Sequence, residues 1–207
     1  MAKKKEEFII REVIELFNQE AVSRISIRDI AKKTNLSLGN ITYYFPNKKF
    51  MLLKIYEHMK KNAQKAYLKD KKTSMTTLHE VFVALASFHF KYPFFYRDYA
   101  YLIHEYPSLK EEHKKTLHHR KEIIEKVLLN LISEKFASAS FTLEVVERVT
   151  ILLMIFFHSS ASSTEIQQSI SNEQTDEASN LVLAWTILMP YLSPKGKKML
   201  GKLLDTY

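Results

Sequence analysis

Apolar residues recur along this chain mostly at helical spacing. Ile9, Val13, Leu16 and Phe17 fall at i, i+4, i+7 and i+8, and Ile10 and Ile14 widen the stripe. That pattern predicts an amphipathic helix over residues 4–20. Ile27, Ile30 and Ala31 predict a second, shorter helix opened by Ser26, with Asp29 three residues on in an approximate capping box. Ala31 is small, as a close helix crossing requires. Thr34, Asn35 and Leu36 read as a tight turn, because Asn adopts a left-handed backbone almost as glycine does. Ser37 caps a third helix that runs to about Tyr44, with Leu36, Ile41 and Phe45 turned inward. Pro46 and Asn47 interrupt the chain, and Asn47 is placed to cap the fourth helix. That helix is long and covers residues 48–69, with Met51, Leu52, Ile55, Met59 and Ala63 on one face.

The rest of the chain keeps the same period. Helices are expected at about 77–92, 93–104, 107–135, 142–160, 176–191 and 194–205. Pro93, Pro107 and Pro194 stand at helix starts, where a missing N–H costs little. The polar stretches 70–76, 159–163 and 169–175 read as connections. Alternating strand patterns are scarce, and only 3 Gly and 5 Pro occur. The expected fold class is therefore all-α with short connections.

Composition narrows the chemistry. There is no cysteine, which excludes disulfides and thiolate catalysis and suits a cytoplasmic protein. The N-terminal lysines are not backed by an apolar segment, so they do not read as a signal peptide. The longest largely apolar run, 149–157, is far short of the roughly 20 residues that span a bilayer, so no membrane partner is expected. Charge is uneven. Residues 1–72 hold 17 Lys and Arg against 8 Asp and Glu, a net of +9, and the remainder carries −1. A basic module joined to a nearly neutral one is the electrostatic footprint of a nucleic-acid binder.

The basic module also contains the chain's most specific pattern, SIRDIAKKTNLSLGNITYYFPNKK at 26–49. Two short helices about a tight turn form a helix-turn-helix, whose second helix enters the major groove of double-stranded DNA. The positions left for contact on that helix are Leu38, Gly39, Asn40, Thr42 and Tyr43. Asn40 can read adenine, Thr42 can meet a phosphate or a thymine methyl, and Gly39 permits close backbone approach. Ser26 and Ser37 place hydroxyls at helix ends near the backbone, Arg28 projects from the second helix, and Lys48 adds its charge to a helix N-terminus. Tyr44 divides evenly between packing and phosphate binding.

These residues resemble the DNA-binding domain of the TetR family of transcriptional regulators. Ser26, Arg28, Asp29, Ile30, Ala31, Ser37, Gly39, Ile41, Tyr44, Phe45 and Lys48 fall in the family's register. Thr42 departs from a usual Tyr, Asn35 from a turn Gly, and Ala21 from a Gly after the first helix. The resemblance implies a DNA-binding domain at 1–50 with three helices. A long fourth helix would join it to an effector-binding and dimerisation domain at 51–207, with nine to ten helices in all. It also implies a homodimer on an inverted-repeat operator.

Two C-terminal patterns take their meaning from that resemblance. The first is the aromatic density at 88–106, which could line a pocket for an unknown small-molecule effector, apolar or aromatic. Phe88, His89, Tyr92, Phe95, Tyr96, Tyr99 and His104 are its candidate residues. Ordinary core packing is the competing reading of each. The second is the pair of strongly apolar helices at 145–158 and 181–192. These would pair with their copies in the dimer, through Leu152, Ile155, Phe156, Leu181, Trp185 and Leu188. The competing reading makes both interior helices of a monomer.

Enzyme chemistry finds no footing. There is no nucleophile elbow, phosphate-cradling glycine loop or convincing carboxylate pair. The adjacent His118 and His119 would point about 100° apart on a helix, so no metal site is expected. No cofactor is expected either. The expected function is a ligand-responsive repressor. The alternatives are a regulator without a small-molecule effector, or an activator.

Overall fold

In the computed structural model, residues 2–67, 74–159 and 176–205 are described. The expected connections at 70–73, 160–163 and 169–175 lie outside them. Eleven α-helices occupy the described residues: α1 (Ala2–Gln19), α2 (Ile27–Thr34), α3 (Leu38–Tyr44), α4 (Lys48–Tyr67), α5 (Ser74–Lys91), α6 (Pro93–Arg97), α7 (Tyr99–Glu105), α8 (Pro107–Ser133), α9 (Leu143–Ser159), α10 (Glu177–Leu188) and α11 (Pro194–Leu204). Among the described residues there is no strand, only one isolated antiparallel bridge between Ala137 and Leu192. No helix there is long and apolar enough to cross a membrane. The helix α5 begins at Ser74, within the stretch read as a connection. The chain divides into two compact units, Met1–Asn62 with Tyr92–Lys115, and Ala63–Lys91 with Thr116–Tyr207. This division differs from the boundary expected at 50/51.

The first unit is built on the stripe of α1. Ile9, Val13 and Phe17 are buried with Ile30 of α2, Ile41 of α3, and Met51 and Ile55 of α4. Residues 92–115 join this core because Phe94 packs on Phe17, ring centroids 5.5 Å apart. Polar bonds fix the same contact. The Arg97 guanidinium donates to the carbonyls of Phe17 (2.7 Å), Asn18 (3.1 Å) and Glu20 (2.8 Å), at and just beyond the C-terminal end of α1. The next residue, Asp98, accepts the Val22 N–H at 2.8 Å. Its backbone leaves helical geometry (φ −99°, ψ 14°), so the single helix expected at 93–104 is two, α6 and α7.

In the second unit, Phe82 of α5 meets Phe157 of α9 at 5.4 Å and Trp185 of α10 at 5.2 Å. The Trp185 indole N–H donates to His79 Nδ1 at 3.3 Å. The left-handed Lys135 (φ 60°) ends α8, and the turn after it gathers several chain segments. The Ser74 N–H, at the start of α5, donates to both carboxylate oxygens of Glu134 at 3.2 Å. The chain leaving α10 returns to the same turn through the Ala137–Leu192 bridge. The start of α5 and the end of α10 therefore meet at one end of the unit, and the two helices run antiparallel. Gly196 of α11 lies so close to this turn that a Cβ there would stand 2.3 Å from the Phe136 carbonyl oxygen.

Candidate nucleic-acid interface

The helix-turn-helix is set by its caps. Ser26 Oγ accepts the Asp29 N–H at 3.3 Å, and Asp29 accepts the Ser26 N–H at 2.9 Å and its hydroxyl at 2.6 Å. This reciprocal box leaves few donors free at the start of α2. The same hydrogen bonds hold the Asp29 carboxyl below its ordinary range. Asn35 ends α2 in the left-handed region at φ 54°, the conformation the turn demands. Thr34, between them, is buried with its hydroxyl on the Ile30 carbonyl at 2.8 Å. Ser37 then caps α3, accepting the Asn40 N–H at 3.2 Å and the Asn40 side-chain amide at 3.0 Å.

With Ile41 and Phe45 buried beneath it, α3 exposes one continuous face. Leu38, Gly39, Asn40, Thr42 and Tyr43 are all exposed, Tyr43 by 79 %. Nothing lies within 4 Å of a Cβ built on Gly39, so the chain's own packing does not require the glycine there. Thr42 turns its hydroxyl back onto the carbonyls of Leu38 (3.1 Å) and Gly39 (3.2 Å). Tyr44 is half-buried and meets the Tyr43 ring edge-on at 5.1 Å. Ser26, Arg28 and Ser37 are exposed beside this face. It offers amide, hydroxyl, phenol and guanidinium groups to a partner, on a region of positive net charge.

Lys48 departs from expectation. Its ammonium points inward and donates to the carbonyls of Val22 and of Ile25, the latter at 2.7 Å. Partial burial lowers its pKa, and the charge of Asp98 acts against that. The side chain thus ties the 3-10 turn Val22–Arg24 to the start of α4 rather than standing on the open face. The start of α4 is capped by Asn47, whose Oδ1 accepts the Phe50 N–H at 2.8 Å. Sequence reasoning missed the supporting pair Arg97 and Asp98. They act on α1 and its turn from more than 70 positions away, and local spacing carries no trace of them.

The expected effector residues do not behave as one set. Phe88 and His89 belong to the second unit, and Tyr92, Phe95, Tyr96, Tyr99 and His104 to the first. Tyr92, Phe95 and Tyr96 are buried, and the Tyr92 hydroxyl accepts from Asn62 at 2.8 Å. Phe95 packs against Tyr56, Tyr99 and His113 at 5.4, 6.1 and 5.1 Å, and the Tyr56 hydroxyl lies 2.9 Å from His113 Nδ1. His104 is exposed and Phe88 half-buried.

The expected dimer residues divide as well. Leu181, Trp185 and Leu188 are core, each 2 % exposed or less, and this corrects their placement on an outer face. Leu152 and Ile155 are exposed by 53 and 59 %, and Phe156 is half-buried. The outer side of α10 is instead Val182 and Leu183. This helix is apolar around most of its circumference, so periodicity alone does not tell its inner side from its outer.

The chain matches the sequence profile described as bacterial regulatory proteins, tetR family, over residues 9–55. It matches a second profile, TetR, bacterial transcriptional repressor, over residues 55–200. The two ranges meet within α4. No curated protein matches it. Among solved structures it is similar to a TetR-family transcriptional regulator from Marinobacter aquaeolei VT8, with 18 % identity, 98 % of each chain covered and a TM-score of 0.83. It is also similar to the TetR family protein CprB from S. coelicolor A3(2), with 15 % identity, 99 % of this chain and 96 % of that one covered, and a TM-score of 0.74. A third is the SmeT–triclosan complex, with 11 % identity, 91 % and 92 % covered, and a TM-score of 0.62.

Proposed function

This chain belongs to the TetR family of transcriptional regulators, which bind DNA and are not enzymes, and from that premise we propose that it is a homodimeric repressor released from its operator by a small molecule. The observation that carries the reading is the exposed face of α3, supported on buried Ile41 and Phe45 and capped by Ser37. Residues 1–50 act as the reading domain and 51–207 as the effector and dimer domain. In this reading Asn40 and Tyr43 meet base edges in the major groove. Ser26, Arg28, Ser37, Thr42 and Tyr44 hold the phosphates, and Lys48 supports the turn from within.

Dimerisation is supported by the outer sides of α9 and α10. Ile151, Leu152 and Ile155 are exposed on one helix and Val182 and Leu183 on the other. Large apolar side chains left in solvent on two helices of one unit suit a protein interface. A two-fold dimer then requires an inverted-repeat operator. A cytoplasmic location is in keeping with the family. The effector is small and largely apolar or aromatic; that SmeT forms a complex with triclosan is in keeping with this. The rings packed around Phe95 favour a second reading in which that cluster is core and the regulator works without an effector.

A gel-shift titration on DNA upstream of the protein's own coding sequence tests the repressor reading, followed by a screen for compounds that abolish the shift. A shift that survives competitor DNA and is reversed by a compound supports it. The absence of any shift at moderate salt refutes it, and a shift that no compound reverses favours the second reading.

A further inference from the structure

The Lys48 ammonium joins two backbone segments of the first unit. It donates to the carbonyls of Val22 and Ile25, the latter at 2.7 Å. The 3-10 turn Val22–Arg24 is thereby tied to the first turn of α4. A second tie reaches the turn through the Val22 N–H, which donates to Asp98 at 2.8 Å. Asp98 is itself paired with Arg97 at 3.0 Å. The turn is therefore held at Val22 and at Ile25, and Arg24 stands between these fixed points.

Each joined segment presents a cation beside the tie. Arg24 precedes Ile25, Lys49 follows Lys48, and both are exposed. Among the described residues neither side chain has an ion pair or a hydrogen bond. Two carboxylates on neighbouring segments are already engaged, Asp29 by Ser26 and Asp98 by Val22 and Arg97. In sequence the two cations bracket the helix-turn-helix, Arg24 ahead of the Ser26 cap and Lys49 after the end of α3. Neither belongs to α3, the element that reads bases. Cations beside a reading helix meet phosphates. Charges mounted on backbone that is already fixed cost little further ordering when a polyanion binds.

We propose that Arg24 and Lys49 are phosphate contacts of the DNA complex. The inference rests on the regulator reading above and adds two cations to its phosphate-holding set. Contacts of this kind govern how tightly DNA of any sequence is held, not which sequence is preferred.

Fluorescence anisotropy on two labelled duplexes of equal length tests it, each over a series of salt concentrations. One duplex comes from upstream of the coding sequence, and the other is its scrambled copy. Arg24→Gln and Lys49→Gln should each reduce the slope of log affinity against log salt by about one, and the double variant by about two. Affinity should fall by the same factor on both duplexes, so that their ratio stays that of the parent. Arg24→Lys keeps the charge and should keep the slope. Lys198→Gln removes an exposed charge from α11 and should leave the slope alone, which separates contact from net charge. If Arg24→Gln does not fold, Lys49→Gln and Arg24→Lys decide. An unchanged slope in either Gln variant, an equal loss in Lys198→Gln, or a loss confined to the upstream duplex overturns the proposal. A parent protein that binds neither duplex overturns the regulator reading along with it. A parent that binds both duplexes alike, with slopes falling as expected, keeps the two contacts and removes the operator from that upstream DNA.

Discussion

Two helical surfaces of this protein face outward with groups that the subunit's own packing does not use, and they differ in kind. The α3 face carries Asn40, Thr42, Tyr43 and the bare backbone of Gly39. The outer sides of α9 and α10 carry Ile151, Leu152, Ile155, Val182 and Leu183. The first is content in water and gains further when a polyanion replaces that water. The second loses free energy in water and gains when another apolar surface covers it. On the reading proposed above, the first surface suits a polyanion and the second another apolar surface, so the two call for partners of different chemistry.

The sharpest break in this comparison lies within α10, where inner and outer residues are all apolar. Trp185→Ala should cost about 3–5 kcal/mol of stability, the loss typical of a large buried ring, measured by denaturant melts. Ile155→Glu, on the outer side of α9, should leave the helices intact and convert a sedimenting dimer into a monomer. A mild Trp185→Ala or a collapsed Ile155→Glu would mean that inner and outer sides are exchanged.

Lys48 sharpens the α3 side. Were it a phosphate contact, Lys48→Met would reduce the salt dependence of operator binding by about one unit of slope and leave stability alone. Its inward hydrogen bonds to Val22 and Ile25 lead to the opposite expectation: an unchanged slope and a stability loss of about 1–3 kcal/mol from two orphaned carbonyls. Thermal melts of the free protein and a salt series on the complex give both numbers.

How much of this was legible in the chain depends on the range of the forces involved. The caps at Ser26, Ser37 and Asn47 and the left-handed Asn35 were readable, because each acts within three residues of itself. The buried side of α3 was readable for the same reason, since Ile41 and Phe45 are its strongly apolar members. The inward bonds of Lys48 were not legible because its partners are carbonyls more than 20 positions away, and any residue has a carbonyl. Asp98 split an expected helix for the sake of the Val22 N–H, a bond across 76 positions. Trp185 and Leu188 were placed on an outer face because α10 has no polar side to orient it. The aromatic run at 88–106 looked like one cluster in sequence, and the fold shares it between two units.

A smaller test separates reading from support on α3 itself. Asn40→Ala should weaken operator binding by about 1–3 kcal/mol and relax discrimination at one base position. Its amide bond to Ser37 is exposed, so melting of the free protein should barely move. Tyr43→Ala should weaken binding similarly with no effect on melting, because its ring is mostly in solvent. If either substitution lowers the melting temperature as much as it lowers affinity, the face is part of the fold rather than a reading surface.

The smallest effect belongs to the Ser26 box, which supports α2 and stands beside the same face. Removing a serine cap costs about 1 kcal/mol, so Ser26→Ala should lower stability modestly at neutral pH. The pH dependence carries more information than the size. Asp29 is held below its ordinary value of 3.8 by hydrogen bonds from the Ser26 hydroxyl and N–H. A depressed carboxyl stabilises the folded state fully above the unfolded pKa, and that contribution fades as pH falls through the folded one. The gap between the parent protein and Ser26→Ala should therefore be constant from pH 7 to about 5 and shrink below about 4, in paired thermal melts. A gap that widens in acid would mean that Asp29 is not the partner through which the cap acts. In that case the α2 start, and with it the mounting of α3, would depend on something other than this box.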